Sequence, residues 1–215
     1  MKTADLIAAL ASPSEGTTAT PPSPVTGAIV LAIVIGAVTA GGILLLWLGM
    51  RPMAEAIRTG AFWMKAAYSV ALAATGFLVT RRLARPGGRL GRAPLLAVAA
   101  VVILAILAVA RMAHAEPGQT RALLMGHTWR DCPIRILVLA APVFAAACLA
   151  LRRLAPTRLA LAGAAAGLLA GGVAATVYEF YCDETTAPFV LIWYTLGIGA
   201  CALVGAILGP RLLRW

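Results

Sequence analysis

The sequence is poor in charged side chains and lacks the residue patterns that catalysis and tight metal binding require. Only 12% of its 215 residues are charged, with eight acidic residues and two histidines, whereas about a quarter of the residues in a soluble domain are charged. The sequence has no Cys-x-x-Cys pair, and the centres of its long apolar runs carry no Asp, Glu, Lys, Arg or His. Ionisable groups at that depth are typical of proton-coupled transport and intramembrane hydrolysis. These absences argue against an enzyme, and we expect no cofactor.

Apolar residues make up 61% of the chain and are gathered into long runs. The runs cover approximately residues 25–48, 62–80, 93–112, 133–151, 159–178 and 189–209. A run of about 20 residues is long enough to cross a hydrocarbon core of roughly 30 Å as a helix. The sequence therefore predicts an all-α, polytopic membrane protein, with a domain of six transmembrane helices over residues 25–215 embedded in the lipid bilayer.

The basic residues indicate which way the protein faces. Arginines cluster in residues 81–92 and 152–158, whereas the last loop carries Glu179, Asp183 and Glu184. The positive-inside rule then places the arginine loops and both termini in the cytoplasm. This topology accounts for the net charge of +10 without direct binding of nucleic acid. The aromatic belt at the membrane surface explains the aromatic residues near the ends of the spans, which are Tyr181, Trp193, Tyr194 and Trp215.

Residues 1–24 are predicted to form a cytoplasmic tail. They contain no basic n-region of a cleavable signal peptide, so we expect the tail to be retained. A short amphipathic helix is predicted over residues 3–11, with Leu6, Ile7 and Leu10 on one face and Asp5 near the positive end of the helix dipole. The rest of the tail is a Pro/Ser/Thr linker. Because such a short helix is marginal alone in water, we interpret it as a docking element; a frayed terminus is the alternative.

Small residues in the fifth run predict close helix packing. Gly163, Gly167 and Gly171 recur every four residues, which creates a face that lets another backbone approach closely. Packing within the same chain is the simpler interpretation. A homodimer contact through these three glycines is the alternative.

The four cysteines fall into two groups. Cys148 and Cys201 lie inside apolar runs and are expected to be small packing residues. Cys132 and Cys182 lie where a run meets a predicted outer loop, so both are expected at the same water-facing edge of the bilayer. A structural disulfide, a redox-responsive pair and a weak site for a thiophilic metal ion all remain open for them. Further donors are available without the spacing of a metal motif, namely His127, Asp131, Asp183 and Glu184.

Several motifs match a known family in order and spacing. The chain begins Met-Lys-Thr-x-Asp-Leu-Ile-x-x-Leu-Ala, and its second half contains Cys132-Pro-Ile-Arg-Ile, Leu151-Arg-Arg-Leu-Ala-Pro-Thr-Arg158, the glycine-rich segment to Gly171, Tyr178 to Cys182, Trp193-Tyr194 and the ending Gly209-x-Arg-Leu-Leu-Arg-Trp215. These features resemble the NrsF/OsrA-type membrane anti-sigma factors of proteobacteria. The resemblance covers nearly the whole chain and is strongest from Cys132 onward.

The resemblance implies a six-span regulator in the bacterial inner membrane that holds an extracytoplasmic-function sigma factor. It also implies two periplasmic-side cysteines that respond to metal or oxidative stress, which by position are Cys132 and Cys182. The tail carries no zinc-binding His/Cys cluster, so sigma-factor binding is assigned to the tail helix through Asp5, Leu6, Ile7 and Leu10, with the cytoplasmic arginine loops as a further candidate contact. The alternative function is a small transporter or channel for a metal or a hydrophobic solute, for which the spans offer few polar residues.

Overall fold

The computed structural model describes residues 23–85, 87–116, 118–154 and 156–214. These residues form six helices long and apolar enough to cross a membrane, and no strand, so the predicted all-α architecture with six candidate spans is confirmed. The predicted tail helix over residues 3–11 lies outside the described residues. In chain order the helices are α1 (Ser23–Trp47), α2 (Met53–Ala56), α3 (Gly60–Leu83), α4 (Pro94–Ala113), α5 (Thr120–Met125), α6 (Asp131–Arg152), α7 (Leu159–Tyr178) and α8 (Ala187–Leu212).

Local sequence signals set several of these boundaries. The Thr59 side chain accepts a hydrogen bond from the Phe62 backbone N–H and caps the start of α3. Pro94 occupies the first turn of α4, where its missing N–H leaves no helical hydrogen bond unmade. Arg81 and Arg82 lie in the last turn of α3, where a positive charge interacts favourably with the helix dipole.

Helix α7 is the centre of the bundle and packs against α1, α3, α6 and α8. Its small residues make this possible, because a Cβ added at Gly163 or Gly167 would overlap the backbone of α8, and one at Gly171 would press on the same helix. The interpretation as packing within the chain is therefore confirmed. A homodimer contact through these three glycines is wrong as a prediction, because α8 of the same chain already covers them.

Helix α8 contains a π-helical segment, Val190–Tyr194, near its start. Such a segment adds a residue to a helical turn and changes which side chains face inward. Here Tyr194 is fully buried, while Trp193 is half-buried and donates a hydrogen bond to the Leu124 carbonyl oxygen at 2.8 Å. The aromatic belt therefore does not explain Tyr194, which belongs to the protein interior.

The two ends of the bundle differ in charge. We call the end formed by the loops after α1, α4 and α7 the cysteine end, and the end formed by the loops after α3 and α6 the arginine end. Every acidic residue in the described part of the chain lies at the cysteine end. Val25 and Leu213 pack in one apolar cluster, so the described chain starts and finishes at the arginine end. This matches an even number of spans.

Three hydroxyl side chains inside the spans bond to their own helices. Thr39, Ser69 and Thr75 each donate to the carbonyl oxygen four residues earlier, at 2.8, 2.9 and 2.9 Å. Their hydroxyl groups are thus committed locally and do not line a path across the described bundle. The fold gives the transporter alternative no support.

Candidate functional site

The two cysteines predicted to act together lie at the same end of the bundle. Cys132 is the second residue of α6, and its N–H donates to the Thr128 carbonyl oxygen at 2.9 Å. Cys182 lies in the loop after α7, and its N–H donates to the Tyr178 carbonyl oxygen at 3.0 Å. Both are free thiols with no exposed surface and belong to the same apolar cluster. Neither thiol is open to solvent, because side chains from the neighbouring elements cover them.

Tyrosine rings surround the thiols. Tyr178 and Tyr194 are fully buried, with ring centroids 6.0 Å apart, and each lies close enough to both thiols to interact with them electrostatically. The Arg135 guanidinium lies over the Tyr181 ring, 5.0 Å from its centroid. Any reaction of the thiols therefore takes place in a pocket from which bulk water is excluded.

Lys65 brings a positive charge to this buried site. It lies in the second turn of α3, has no exposed surface, and its ammonium donates to the Cys182 carbonyl oxygen at 2.9 Å. The ammonium also lies close enough to both thiols for electrostatic interaction. A buried ammonium without partners is strongly unfavourable. Lys65 thus ties α3 to the loop that carries Cys182.

Glu179 places a buried carboxyl group beside Lys65. Its side chain is only 1% exposed, and its Oε1 has no hydrogen-bond partner among the described residues. Burial raises the pKa of Glu179 to about 7, although the positive charges of Lys65 and Arg51 oppose that shift. The Arg51 backbone N–H donates to the Phe180 carbonyl oxygen at 3.2 Å. The loops after α1 and α7 therefore meet at this carboxyl group.

Glu184 joins the two cysteine-bearing segments. Its Oε1 accepts from the backbone N–H groups of His127 and Thr128 at 2.7 and 3.1 Å, and from the Thr128 hydroxyl at 3.2 Å. The carboxylate lies directly over Gly126, whose φ of +51° and absent Cβ leave the required space. Because Thr128 also accepts from the Cys132 N–H, this carboxylate connects the loop of Cys182 to the start of α6.

One group of described residues has the composition of a metal site. Donor atoms of His127, Asp183 and Glu184 lie within 4.8 Å of one another. The His127 Nε2 is 3.5 Å from Asp183 Oδ2, and its Nδ1 is 3.6 Å from Glu184 Oε1. Neither thiol belongs to this group. The two thiols predicted as sulfur ligands are therefore not part of this set of nitrogen and oxygen donors. Ion pairing of His127 with Asp183 and Glu184 explains the set as well as a metal site does.

The remaining predicted site residues are those assigned to sigma-factor binding. Asp5, Leu6, Ile7 and Leu10 lie outside the described residues. The described chain begins with α1 at the arginine end, so the tail joins the bundle at the end opposite the thiols. A signal from the thiols to the tail would have to cross the length of the bundle.

Together, these features define an all-helical protein with six helices apolar enough to cross a membrane and a buried cluster of thiol, tyrosine and charged side chains at one end. Comparison with known proteins gives the family. The chain belongs to the NrsF family, whose model, described as negative regulator of sigma F, matches residues 14–215.

Two curated relatives match the chain along its whole length. The anti-sigma-F factor NrsF of Caulobacter vibrioides (strain NA1000 / CB15N) is 42% identical over 219 residues, with all of both chains covered. The probable anti-sigma-F factor NrsF of Azospira oryzae (strain ATCC BAA-33 / DSM 13638 / PS) is 41% identical over 218 residues, again with all of both chains covered. No solved structure matches.

Proposed function

We propose that this protein is an anti-sigma factor of the bacterial inner membrane that sequesters an extracytoplasmic-function sigma factor. The observation that carries the proposal is the full-length similarity to two relatives named as anti-sigma-F factors. The six candidate spans provide the membrane anchor. The protein then acts as a regulator and not as an enzyme, and its partner is the sigma factor itself.

The tail is the proposed contact surface for the sigma factor. Leu6, Ile7 and Leu10 would insert as apolar anchors along one helix face, with Asp5 at the start of that helix. Burying three aliphatic side chains contributes roughly 1.5–3 kcal/mol each, which offsets part of the entropic cost of ordering a short helix on its partner.

Co-purification tests this contact. We expect the full-length protein, extracted in mild detergent, to retain its sigma factor, and the variant lacking residues 1–12 to lose it. The triple substitution Leu6→Ser, Ile7→Ser and Leu10→Ser should have the same effect, while Ala8→Ser and Ala9→Ser serve as the matched control. Retention of the sigma factor by the shortened protein would move the contact to the arginine loops, and absence of a sigma factor from every preparation would contradict the proposed function.

The Cys132 and Cys182 pair is the proposed stress sensor. Oxidation to a disulfide would remove two electrons and two protons from the thiols, with hydrogen peroxide accepting them to give two molecules of water. A thiophilic metal ion could instead bridge the two sulfur atoms. Either event would join the start of α6 to the loop between α7 and α8. Because α7 contacts four other spans, a shift at this end can reach the root of the tail.

Such a response requires that the two thiol states bind the sigma factor with different affinities. We expect the double variant Cys132→Ser/Cys182→Ser to hold the sigma factor normally but to fail to release it under oxidant or metal stress. The matched control is Cys148→Ser/Cys201→Ser, which removes two thiols that are also buried in the bundle. A reporter of sigma-factor activity measures both variants, and an unchanged response in the first would rule out the sensor role.

A further inference from the structure

A cleft at the arginine end gathers four positive charges. It has a volume of about 460 Å³ and is lined by Thr26 near the start of α1, two glycines and four arginines, namely Arg81, Arg82, Arg85 and Arg89. All four arginine side chains are exposed. The cleft therefore lies where the last turn of α3, the loop that follows it and the first turn of α1 come together.

The loop after α3 folds back, so that Arg89 lines the same cleft as Arg81, Arg82 and Arg85. Gly87 adopts a φ of +71°, which favours glycine, and a Cβ at Gly88 would overlap the Arg82 carbonyl group. The Gly87 N–H donates to the Thr157 hydroxyl at 3.4 Å, which ties this loop to the one after α6. The Arg82 side chain is held by a hydrogen bond to the Leu90 carbonyl oxygen at 2.9 Å. The four arginines thus line a concave site whose loop conformation is fixed by these contacts.

These charges have no counter-ion in the described part of the chain. The ion pairs found there all lie at the cysteine end, as does every described acidic residue. Four guanidinium groups around one cleft repel one another, and an anion bound among them would relieve that repulsion. The planar guanidinium pairs with phosphate oxygens through two parallel hydrogen bonds.

We propose that this cleft binds the phosphate headgroup of an anionic phospholipid. The lipid is favoured because the cleft lies at the end of membrane-spanning helices, at the level where headgroups are found, and basic pockets between such helices suit anionic headgroups. The positive-inside rule alone requires basic residues at this end, but it requires neither their convergence on a cleft nor the glycines that fold the loop. This site is independent of the sigma factor and of the thiols.

Native mass spectrometry of the full-length protein in detergent, titrated with phosphatidylglycerol or phosphatidylcholine, tests the proposal. We expect the protein to prefer phosphatidylglycerol, and Arg85→Gln/Arg89→Gln to weaken that binding about tenfold through loss of charge-assisted phosphate contacts. The control Arg152→Gln/Arg153→Gln removes the same charge at the same end but outside the cleft, and should retain the parent affinity. Melting temperatures establish that both variants are folded.

Each of the following results would overturn the proposal. Equal binding of the two lipids would show no headgroup selectivity, and equal loss in both double variants would show general surface attraction without a site. Displacement of the lipid by millimolar inorganic phosphate would identify a free-anion site. Binding of phosphatidylglycerol only after removal of residues 1–22 would show that the acidic residues of the tail are the occupant. If Arg85→Gln/Arg89→Gln does not fold, Arg89→Gln alone should give a smaller loss in the same direction, and an unchanged affinity would contradict the proposal.

Discussion

At the scale of single residues, the buried carboxyl group of Glu179 gives the protein a pH-dependent stability. Its pKa of about 7 in the folded protein lies above the ordinary value of 4.5. The folded state therefore binds this proton more tightly than the unfolded state does. Stability from this group is fully present below pH 4.5 and is lost as the pH rises towards 7.

The substitution Glu179→Gln tests this effect, because glutamine resembles the protonated carboxyl group at every pH. We expect the melting temperature of the variant in detergent to exceed that of the parent by about 5 °C more at pH 8.5 than at pH 5.5. The exposed Glu55 provides the control, since Glu55→Gln should show the same difference from the parent at both values. A difference for Glu179→Gln that does not change with pH would contradict the assigned pKa.

Individual residues also show where sequence reasoning was insufficient. The spacing of Cys132 and Cys182 relative to the spans was enough to predict that they share one end of the bundle. Their burial, and the roles of Lys65, Glu179 and Glu184 around them, depend on how three loops from distant parts of the chain pack together. Lys65 lies near the start of the predicted span over residues 62–80, and the Tyr68 and Ser69 that follow it at the third and fourth positions are only a weak sign of a polar inward face.

At the scale of elements, the glycines of α7 determine how closely the helices approach. A Cβ at Gly167 would overlap the Cys201 carbonyl oxygen, so Gly167→Ala must push α7 and α8 apart. We expect a loss of about 1–3 kcal/mol, the usual cost of overpacking an interior, measured as a lower melting temperature in detergent. The control Gly199→Ala places its methyl group in open space on α8 and should leave the stability unchanged or slightly raised. Equal effects of the two substitutions would argue against close packing at Gly167.

The elements themselves were readily predicted, because the length of an apolar run directly reflects the thickness of the membrane. The predicted span over residues 159–178 matches α7 at both ends. The predicted span over residues 62–80 is shorter than α3. The arginine cluster that begins at Arg81 predicts a loop there, whereas the helix continues to Leu83. Arginine side chains can extend along a helix end towards water, so a charge does not by itself end a span. The π-helical segment in α8 had no recognisable signal in the sequence.

At the scale of the whole molecule, the predicted orientation places the arginine end and both termini in the cytoplasm. Labelling of single cysteines introduced at exposed positions tests this prediction. The four native cysteines are buried, so we expect the reagent to react with the introduced cysteine. In intact spheroplasts, a membrane-impermeant maleimide should label Gln119→Cys at the cysteine end. It should label Arg153→Cys at the arginine end only after the membrane is permeabilised. The opposite pattern would invert the topology and place the tail, with its proposed sigma-factor contact, outside the cell.

The arginine end carries only basic charged side chains among the described residues, whereas the cysteine end carries both signs, so the molecule has an uneven charge distribution along the bundle axis. In the predicted orientation, the inside-negative potential of an energised bacterial membrane draws the arginine end inward. Moving one elementary charge through 100 mV corresponds to about 2.3 kcal/mol, which is comparable to the contribution of a well-buried side chain. In that orientation the membrane potential therefore adds to the positive-inside bias and favours the arginine end on the cytoplasmic side.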